Sequence, residues 1–327
     1  MKVLLTGANG FVGSHILDLL LESGLSVRVL LRVTSNTRFI EEQLPRLEVS
    51  YGSLDDEASL EQAIDGVDCI VHCAGKTKVL HISEFYLANQ AGTRSLVQAA
   101  NKFRRTLRHF IHISSWAVNG PTTAEAPARE DDPPAPVSEY GKSKLMGELE
   151  VRNACQVPYT VLRPSAVYGP RDTDLLFAFR AVKRRLMPLW NGGHQQVSLV
   201  YVKDVAGAVK ACLERREAFG NVYNVASPEA HEIRQVLEEI SRQMGVKPVR
   251  VHLPIGILYP LSLAQEFISH LTGKPNILSR QKYLELKQCG WVSATDRIRR
   301  DIGFVADTPL RAGIAQTIEW YCANGWL

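Results

Sequence analysis

The run KVLLTGANGFVGSHI at Lys2–Ile16 limits what this chain can fold into more than any other stretch. A short apolar segment meets Gly7, Gly10 and Gly13 and passes directly into a helical pattern. It reads as a strand that turns sharply into a helix. The first glycine permits the turn, the second lets backbone approach a ligand, and the third lets helix and strand pack closely. The helix start then offers unpaired N–H groups and the positive end of its dipole, a place for phosphate. The loop therefore predicts a dinucleotide held by Gly7, Asn9, Gly10, Phe11, Val12 and Gly13.

The first half of the chain repeats this alternation. KVLLT, SVRVLL, LEVSYG, DCIVHCA and HFIHIS are strand-like, with helical patterns starting near Gly10, Ser59, Asn89 and Ser143. Strands alternating with helices predict an α/β fold, a Rossmann-type doubly wound parallel sheet. The run YTVLRPSAVYG continues it. Beyond Gly169 helical patterns lie around Leu175–Leu186, Ile233–Met244 and Leu284–Leu286, interrupted by sheet-like pieces at Val197–Val202 and Asn221–Ala226. The expected organisation is a dinucleotide-binding domain over 1–168, with pieces near 197–226 returning to it. Residues 169–196 and 227–327 are expected to form a smaller, discontinuous, mainly helical substrate lobe. The proline-rich segment Asn119–Ser138, with Glu130, Asp131 and Asp132, reads as a rim loop over a cleft.

Composition narrows the partners. With 45% hydrophobic and 22% charged residues the chain is an ordinary globular one. Its net charge of +4 is spread over separate groups, Arg104/Arg105/Arg108, Lys183/Arg184/Arg185 and Arg297/Arg299/Arg300. These read as solvated helix faces and ends, not a nucleic-acid stripe, so the expected partner is a small molecule. The cysteines Cys69, Cys73, Cys155, Cys212, Cys289 and Cys322 form no CxxC pair, and no metal is expected from them or from His15, His109, His112 and His194. Reduced cysteines and a strand with no signal peptide ahead of it suggest a cytoplasmic protein. Leu253–Leu271 is interrupted by Glu266 and His270 and reads as an amphipathic helix, not a membrane span.

Tyr140-Gly-Lys-Ser-Lys144 carries the chemical signal. Positions i and i+4 share a helix face, so the phenol and the ammonium can share a site. An adjacent cation, together with an oxidised nicotinamide nearby, favours phenolate and is expected to bring a phenol of ordinary pKa ~10 toward neutrality. Such a group can take a proton from an alcohol or return it to a ketone. Ser115, at the end of the HFIHIS strand, can orient the substrate oxygen. At the end of the second strand, where an acid would hold the ribose of NAD, stands Arg32, with Ser35 and Arg38 close by. A guanidinium pairs with a 2′-phosphate, which favours NADP, although the same arginine also suits stacking on the adenine of NAD.

TGANGFVG, VHCAG, NQAGT, ISSWAVNG, YGKSK, LRPSAVYGP and VYVKDVA together make a specific set. On these motifs the chain resembles the extended short-chain dehydrogenase/reductases, the NAD-dependent epimerase/dehydratase superfamily, over essentially its whole length. The resemblance implies Ser115, Tyr140 and Lys144 as catalytic residues. It also implies Ser53, Leu54, Ala74, Gly75 and Lys76 beside the cofactor, Asn89 supporting the site, and Arg163, Pro164, Ser165 and Val167 at the nicotinamide end. Many relatives pair two helices across a homodimer interface, for which Asn89–Asn101 and Ser143–Cys155 are the candidates.

The departures bear on substrate. Relatives acting on nucleotide sugars typically carry G-x-Q-x-R-D-F, where the arginine holds a diphosphate; this chain reads Gly193-His-Gln195-Gln-Val197-Ser-Leu199. Valine cannot pair with a diphosphate. Trp116 and Ala117 stand where the dehydratase acids would follow Ser115, and Trp116 reads either as a wall residue for an apolar substrate or as ordinary packing. The C-terminal third resembles the branch of 3β-hydroxysteroid dehydrogenases and dihydroflavonol-type reductases. Its apolar helix reads either as a cover for a lipophilic substrate or as the core of the lobe. The expected activity is hydride transfer to or from a secondary alcohol or ketone. The alternative is an epimerase using the same residues. A dinucleotide sensor, which would usually lose Tyr or Lys, is the third reading.

Overall fold

Val3 and Leu5 point to one side of the first strand and Leu4 to the other, and all three are buried in separate apolar clusters. A strand apolar on both faces needs a helical layer on each side, which parallel sheets supply. The protein is described here from a computed structural model over residues 1–213, 215–276 and 278–327. The strands are β1 (Lys2–Thr6), β2 (Ser26–Leu31), β3 (Glu48–Tyr51), β4 (Cys69–His72), β5 (His109–Ile113), β6 (Tyr159–Pro164), β7 (Ala166–Tyr168), β8 (Leu186–Trp190), β9 (Gln196–Tyr201), β10 (Asn221–Val225), β11 (Ala230–Glu232), β12 (Val249–Leu253) and β13 (Gly290–Trp291). The helices are α1 (Phe11–Glu22), α2 (Glu57–Ile64), α3 (Ser83–Tyr86), α4 (Gly92–Lys102), α5 (Glu139–Ala154), α6 (Leu176–Lys183), α7 (Val202–Cys212), α8 (Ile233–Gln243), α9 (Leu258–Thr272), α10 (Arg280–Leu286), α11 (Asp296–Ile302) and α12 (Leu310–Ala323).

Seven strands form a parallel sheet in the order β10-β6-β5-β4-β1-β2-β3. The chain reverses direction of travel at β1, between β2 and β4, and a crevice opens there at the carboxyl ends of the strands. One face packs on α1 and α7 through Ile16, Leu17, Val205 and Val209, the other on α2, α4 and α5 through Leu60, Leu96 and Val151. A third apolar cluster, with Phe179, Leu189, Ile240 and Tyr321, belongs to the lobe of α6, α8 and α12.

Three expectations are corrected. Only Asn221–Val225 returns to the main sheet; β9 instead pairs with β7, β11 and β13 in a second sheet. Alternation within β9 shows a buried strand but not its neighbour. The helix expected from Ser143 begins at Glu139, because the Ser138 hydroxyl accepts the Gly141 N–H and caps it. Asn119–Ser138 is not a rim loop. Ala128 bridges to Ser293, Thr122 bonds Gly290, and the buried Glu130 accepts the Asn224 N–H at 3.0 Å.

Four histidines lie inside this framework. Burial lowers His15 and His109 to about 4, His72 to about 3 and His112 well below its ordinary value. Neither ring nitrogen of His112 has a hydrogen-bond partner among the described residues. The unfolded chain takes up these protons near pH ~6.5 while the folded chain refuses them, so it binds more protons below that pH. Stability is therefore lost as pH falls from about 6.5 toward 4, at up to about 1.4 kcal/mol per pH unit for each imidazole. His112→Leu is expected to flatten this acid limb by about one such increment in urea unfolding series. An unchanged slope would show that His112 protonates without opposing the fold.

Candidate active site

The β1–α1 turn is built for close approach. Gly7 has φ +74°, and a Cβ there would stand 2.7 Å from the Ala74 nitrogen; a Cβ on Gly13 would collide with the Gly7 carbonyl oxygen. Gly10 caps α1 with no side-chain acceptor, and the first turn carries no acid. The N–H groups of α1 are thus left for an anion, so these residues fit a dinucleotide pyrophosphate. A cleft of about 1320 Å³ runs from this loop to α9 and α10, enough for a dinucleotide and a substrate together.

A buried hydrogen-bond chain crosses from this turn to the far wall. The Ala74 N–H donates to Thr6 Oγ1, which meets His72 Nδ1 at 2.8 Å. His72 Nε2 meets Thr93 Oγ1 at 3.0 Å, and Thr93 donates to the Asn89 carbonyl at 2.7 Å. A neutral imidazole protonated on Nε2 satisfies every link. Asn89 lies in a π-helical turn, Leu87–Ala91, a distortion frequent at functional sites. Its Oδ1 accepts the Lys76 N–H at 2.8 Å, and its Nδ2 donates to the Lys76 carbonyl and to Ser143 Oγ. Ser143 in turn donates to the Tyr140 carbonyl at 2.7 Å. Asn89 therefore braces both the cofactor turn and the first turn of α5.

Ser115, Tyr140 and Lys144 come together on the cleft wall. Ser115 and Tyr140 share the cleft wall, Phe85 packs with its ring centroid 5.8 Å from that of Tyr140, and Lys144 Nζ donates to the Ile113 carbonyl at 2.6 Å. Burial dominates and pushes Tyr140 up to about 12, while burial brings Lys144 down to about 8. Burial shifts both groups toward their neutral forms, yet at about 8 Lys144 still carries its charge at neutral pH.

Arg163 is the clearest displacement from expectation. It lies behind the wall, fully buried, where its Nη2 and Nε meet the two carboxylate oxygens of Glu148 at 2.6 and 3.0 Å and its Nη1 donates to Asn119 Oδ1 at 2.7 Å. Alternation along β6 turns it away from the cleft, while Pro164, Ser165 and Val167 do line it. Arg32, Ser53, Leu54, Ala74, Gly75 and Lys76 also line it, as do Asn9, Phe11 and Val12. Lys76 pairs with Glu84 at 2.5 Å, and Leu54 packs on Gly92. Beside exposed Arg32, the Arg38 guanidinium stacks 4.4 Å above Phe39 and 5.4 Å from Trp326.

A model of the NAD-dependent epimerase/dehydratase family matches residues 3–226. The chain belongs to that family. It is an enzyme of the extended short-chain dehydrogenase/reductases, a superfamily that includes dehydrogenases, dehydratases and epimerases. It is 29% identical to ceramide reductase of Caulobacter vibrioides, over 99% of this chain and 96% of that protein. It is 26% identical to N-acetyl-alpha-D-glucosaminyl-diphospho-ditrans,octacis-undecaprenol 4-epimerase of Escherichia coli O157:H7, over 98% and 95%. A crystal structure of UDP-glucose 4-epimerase with UDP-glucose from Thermotoga maritima shares the fold, with a TM-score of 0.79 at 21% identity over 99% of each chain.

In this family member the substrate end of the cleft is lined by residues from widely separated segments. Val197 and Leu199 come from β9, and Trp116 packs edge-on against Trp291 with ring centroids 4.3 Å apart. The buried indole N–H of Trp190 in the same wall has no partner among the described residues. Lys78 pairs with Asp174, and Lys282 with Glu285 at 3.1 Å. Burial, aided by Asp174, raises Asp172 to about 7. Sequence reasoning missed Lys78, Asp172, Asp174, Lys282, Glu285 and Trp291, because nothing local marks α10 and β13 as neighbours of Tyr140.

The Glu148–Arg163 pair generates a stability prediction. Removing either partner leaves a buried charge unpaired, at a cost of about 3–5 kcal/mol. Glu148→Gln and Arg163→Met should each lower urea-unfolding stability by that amount, and the double variant by much less than the sum. Additive losses would mean that the two side chains act independently.

Proposed function

We propose that this enzyme is an NAD(P)-dependent oxidoreductase that interconverts a secondary alcohol and a ketone on a lipophilic substrate. The observation that carries this reading is that Ser115, Tyr140 and Lys144 line one cleft with Val197, Leu199, Trp116 and Trp291. An apolar wall where a diphosphate-binding arginine would stand selects for burial of apolar surface. Of the two curated relatives above, one is named for ceramide, itself a lipid, and the other for a sugar joined through a diphosphate to the lipid undecaprenol.

When bound, the nicotinamide supplies the acceptor or donor of hydride. Gly7, Gly10, Gly13 and the start of α1 hold the pyrophosphate, and Asn89 keeps the Lys76 backbone in place beside it. Tyr140 moves the proton. A phenol raised to about 12 is protonated at neutral pH, so its Oη is set to deliver a proton to a carbonyl oxygen as that carbon is reduced. Ser115 orients the same oxygen by a second hydrogen bond, and the Lys144 ammonium stabilises the phenolate left behind. Arg32, with Arg38 and Ser35 in the same wall and no acid at the end of β2, favours NADP over NAD.

Tyr140→Phe is expected to abolish turnover of ketone substrates while leaving nucleotide affinity within about twofold. Retained turnover would remove Tyr140 from the proton-transfer role. A separate measurement addresses the cofactor: mass spectrometry of nucleotide released on denaturation, then titration with NADPH and NADH. An empty protein that binds NADPH about tenfold more tightly, with the preference lost in Arg32→Ala, fits an exchanging reductase. Stoichiometric retained NAD would favour the epimerase reading and overturn the NADP preference.

A further inference from the structure

Helix α9 is turned inside out. The stripe it directs at the protein is polar, with Ser262 and Ser269 buried and Gln265 and Glu266 half-buried, although Leu258 anchors its start. Positions 258, 262, 265, 266 and 269 share one helical face. That face is engaged by polar contacts: Glu266 takes the Arg280 N–H at 2.8 Å and its Nε at 2.7 Å, and Ser269 Oγ accepts the Asn276 N–H at 3.2 Å. The opposite face carries Tyr259, Leu261, Leu263, Phe267, Ile268 and Leu271, with Phe267 66% and Leu271 71% exposed. A helix in water normally buries its apolar face, and a contiguous exposed apolar patch marks an interaction surface.

The patch lies on a helix that flanks the cleft. Glu266, Ser269 and His270 of α9 line the cleft, and His270 lies 5.6 Å from His81, ring to ring. Beyond His81 the exposed Ile82 and Leu87 continue the apolar rim on the other side, and both also line the cleft. At the end of α9 the exposed Lys274 has no ion-pair partner among the described residues.

We propose that this rim docks on an anionic lipid bilayer, with α9 lying flat in the interface and the cleft opening into the membrane. Fifteen helical residues reach roughly 22 Å, short of a ~30 Å hydrocarbon core. No helix among the described residues is long and apolar enough to cross a membrane. An interfacial helix places apolar side chains at the acyl boundary and a cation among the headgroups, the arrangement α9 and Lys274 present. Exposed apolar side chains on both sides of the cleft, on α9 and at Ile82 and Leu87, suit a surface that also delivers the substrate better than a contact with a second copy. The inference rests on the lipophilic-substrate reading for why the mouth faces lipid; flotation is read without substrate, and turnover is assayed separately.

The full chain is floated with vesicles of phosphatidylglycerol and phosphatidylethanolamine. The wild type is expected to float, and Leu263→Gln/Phe267→Gln/Leu271→Gln to float about tenfold less, with unchanged NADPH binding and unchanged mass by sedimentation. In a second variant, Phe267→Trp, indole emission should shift to the blue on vesicle addition. A wild type that stays in the soluble fraction, a triple variant that floats equally, or an indole that does not respond would each overturn the proposal. So would a wild-type dimer that the triple substitution dissociates, since a second copy would then cover the face. A chain that floats yet reduces only water-soluble ketones would keep the docking and defeat the lipophilic reading.

Discussion

The helix that carries Tyr140 and Lys144 is tied to the sheet by one buried ion pair. Glu148 on α5 and Arg163 on β6 meet through two hydrogen bonds, and Ser114 at the end of β5 donates to the same carboxylate at 3.1 Å. Through Asn119 the pair extends to Asn224 on β10, whose N–H reaches Glu130. Three neighbouring strand ends, the helix and the proline-rich loop are thereby registered on one guanidinium. A charge pair this deep is weak evidence for net stability, because desolvation offsets much of its attraction. Its value here is geometric: a planar fork admits few arrangements, so the phenol and Ser115 keep a defined separation.

A second polar system does the same on the cofactor side. Thr6, His72, Thr93 and Asn89 connect the glycine turn to the π-helical turn, and Asn89 reaches both Lys76 and Ser143. Both systems lie under the cleft, and both keep apolar layers from sliding. Hydrophobic burial alone has no direction and would tolerate small shifts of α5 against the sheet. The two walls of the site are therefore fixed by hydrogen bonds, while the layers that carry them are held by apolar area.

Burial also sets the electrostatics of the site. Tyr140 and Lys144 are both pushed toward neutrality, the phenol up to about 12 and the ammonium down to about 8. Proximity in sequence would suggest the reverse for the phenol. Desolvation by the apolar surroundings is the largest influence on both groups, and the Lys144 ammonium is directed at the Ile113 carbonyl.

Much of this was legible in the chain. Gly7, Gly10 and Gly13 after an apolar run, and Tyr140 four residues before Lys144, announce a phosphate-binding turn and a shared helix face, because both follow from local backbone geometry. Periodicity located the main-sheet strands β1–β6 and β10. It could not assign β9 to its sheet or turn Arg163 away from the cleft, since partner choice is a long-range matter. It could not show that α9 faces outward, because the same apolar pattern suits a core or a surface. Sequence by itself determined the elements, the dinucleotide loop and the chemical groups at hand. Tertiary structure alone decided which of them meet and how dry their meeting place is, because burial and pairing join residues from separate elements, Arg163 with Asn119 and Asn119 with Asn224 among them.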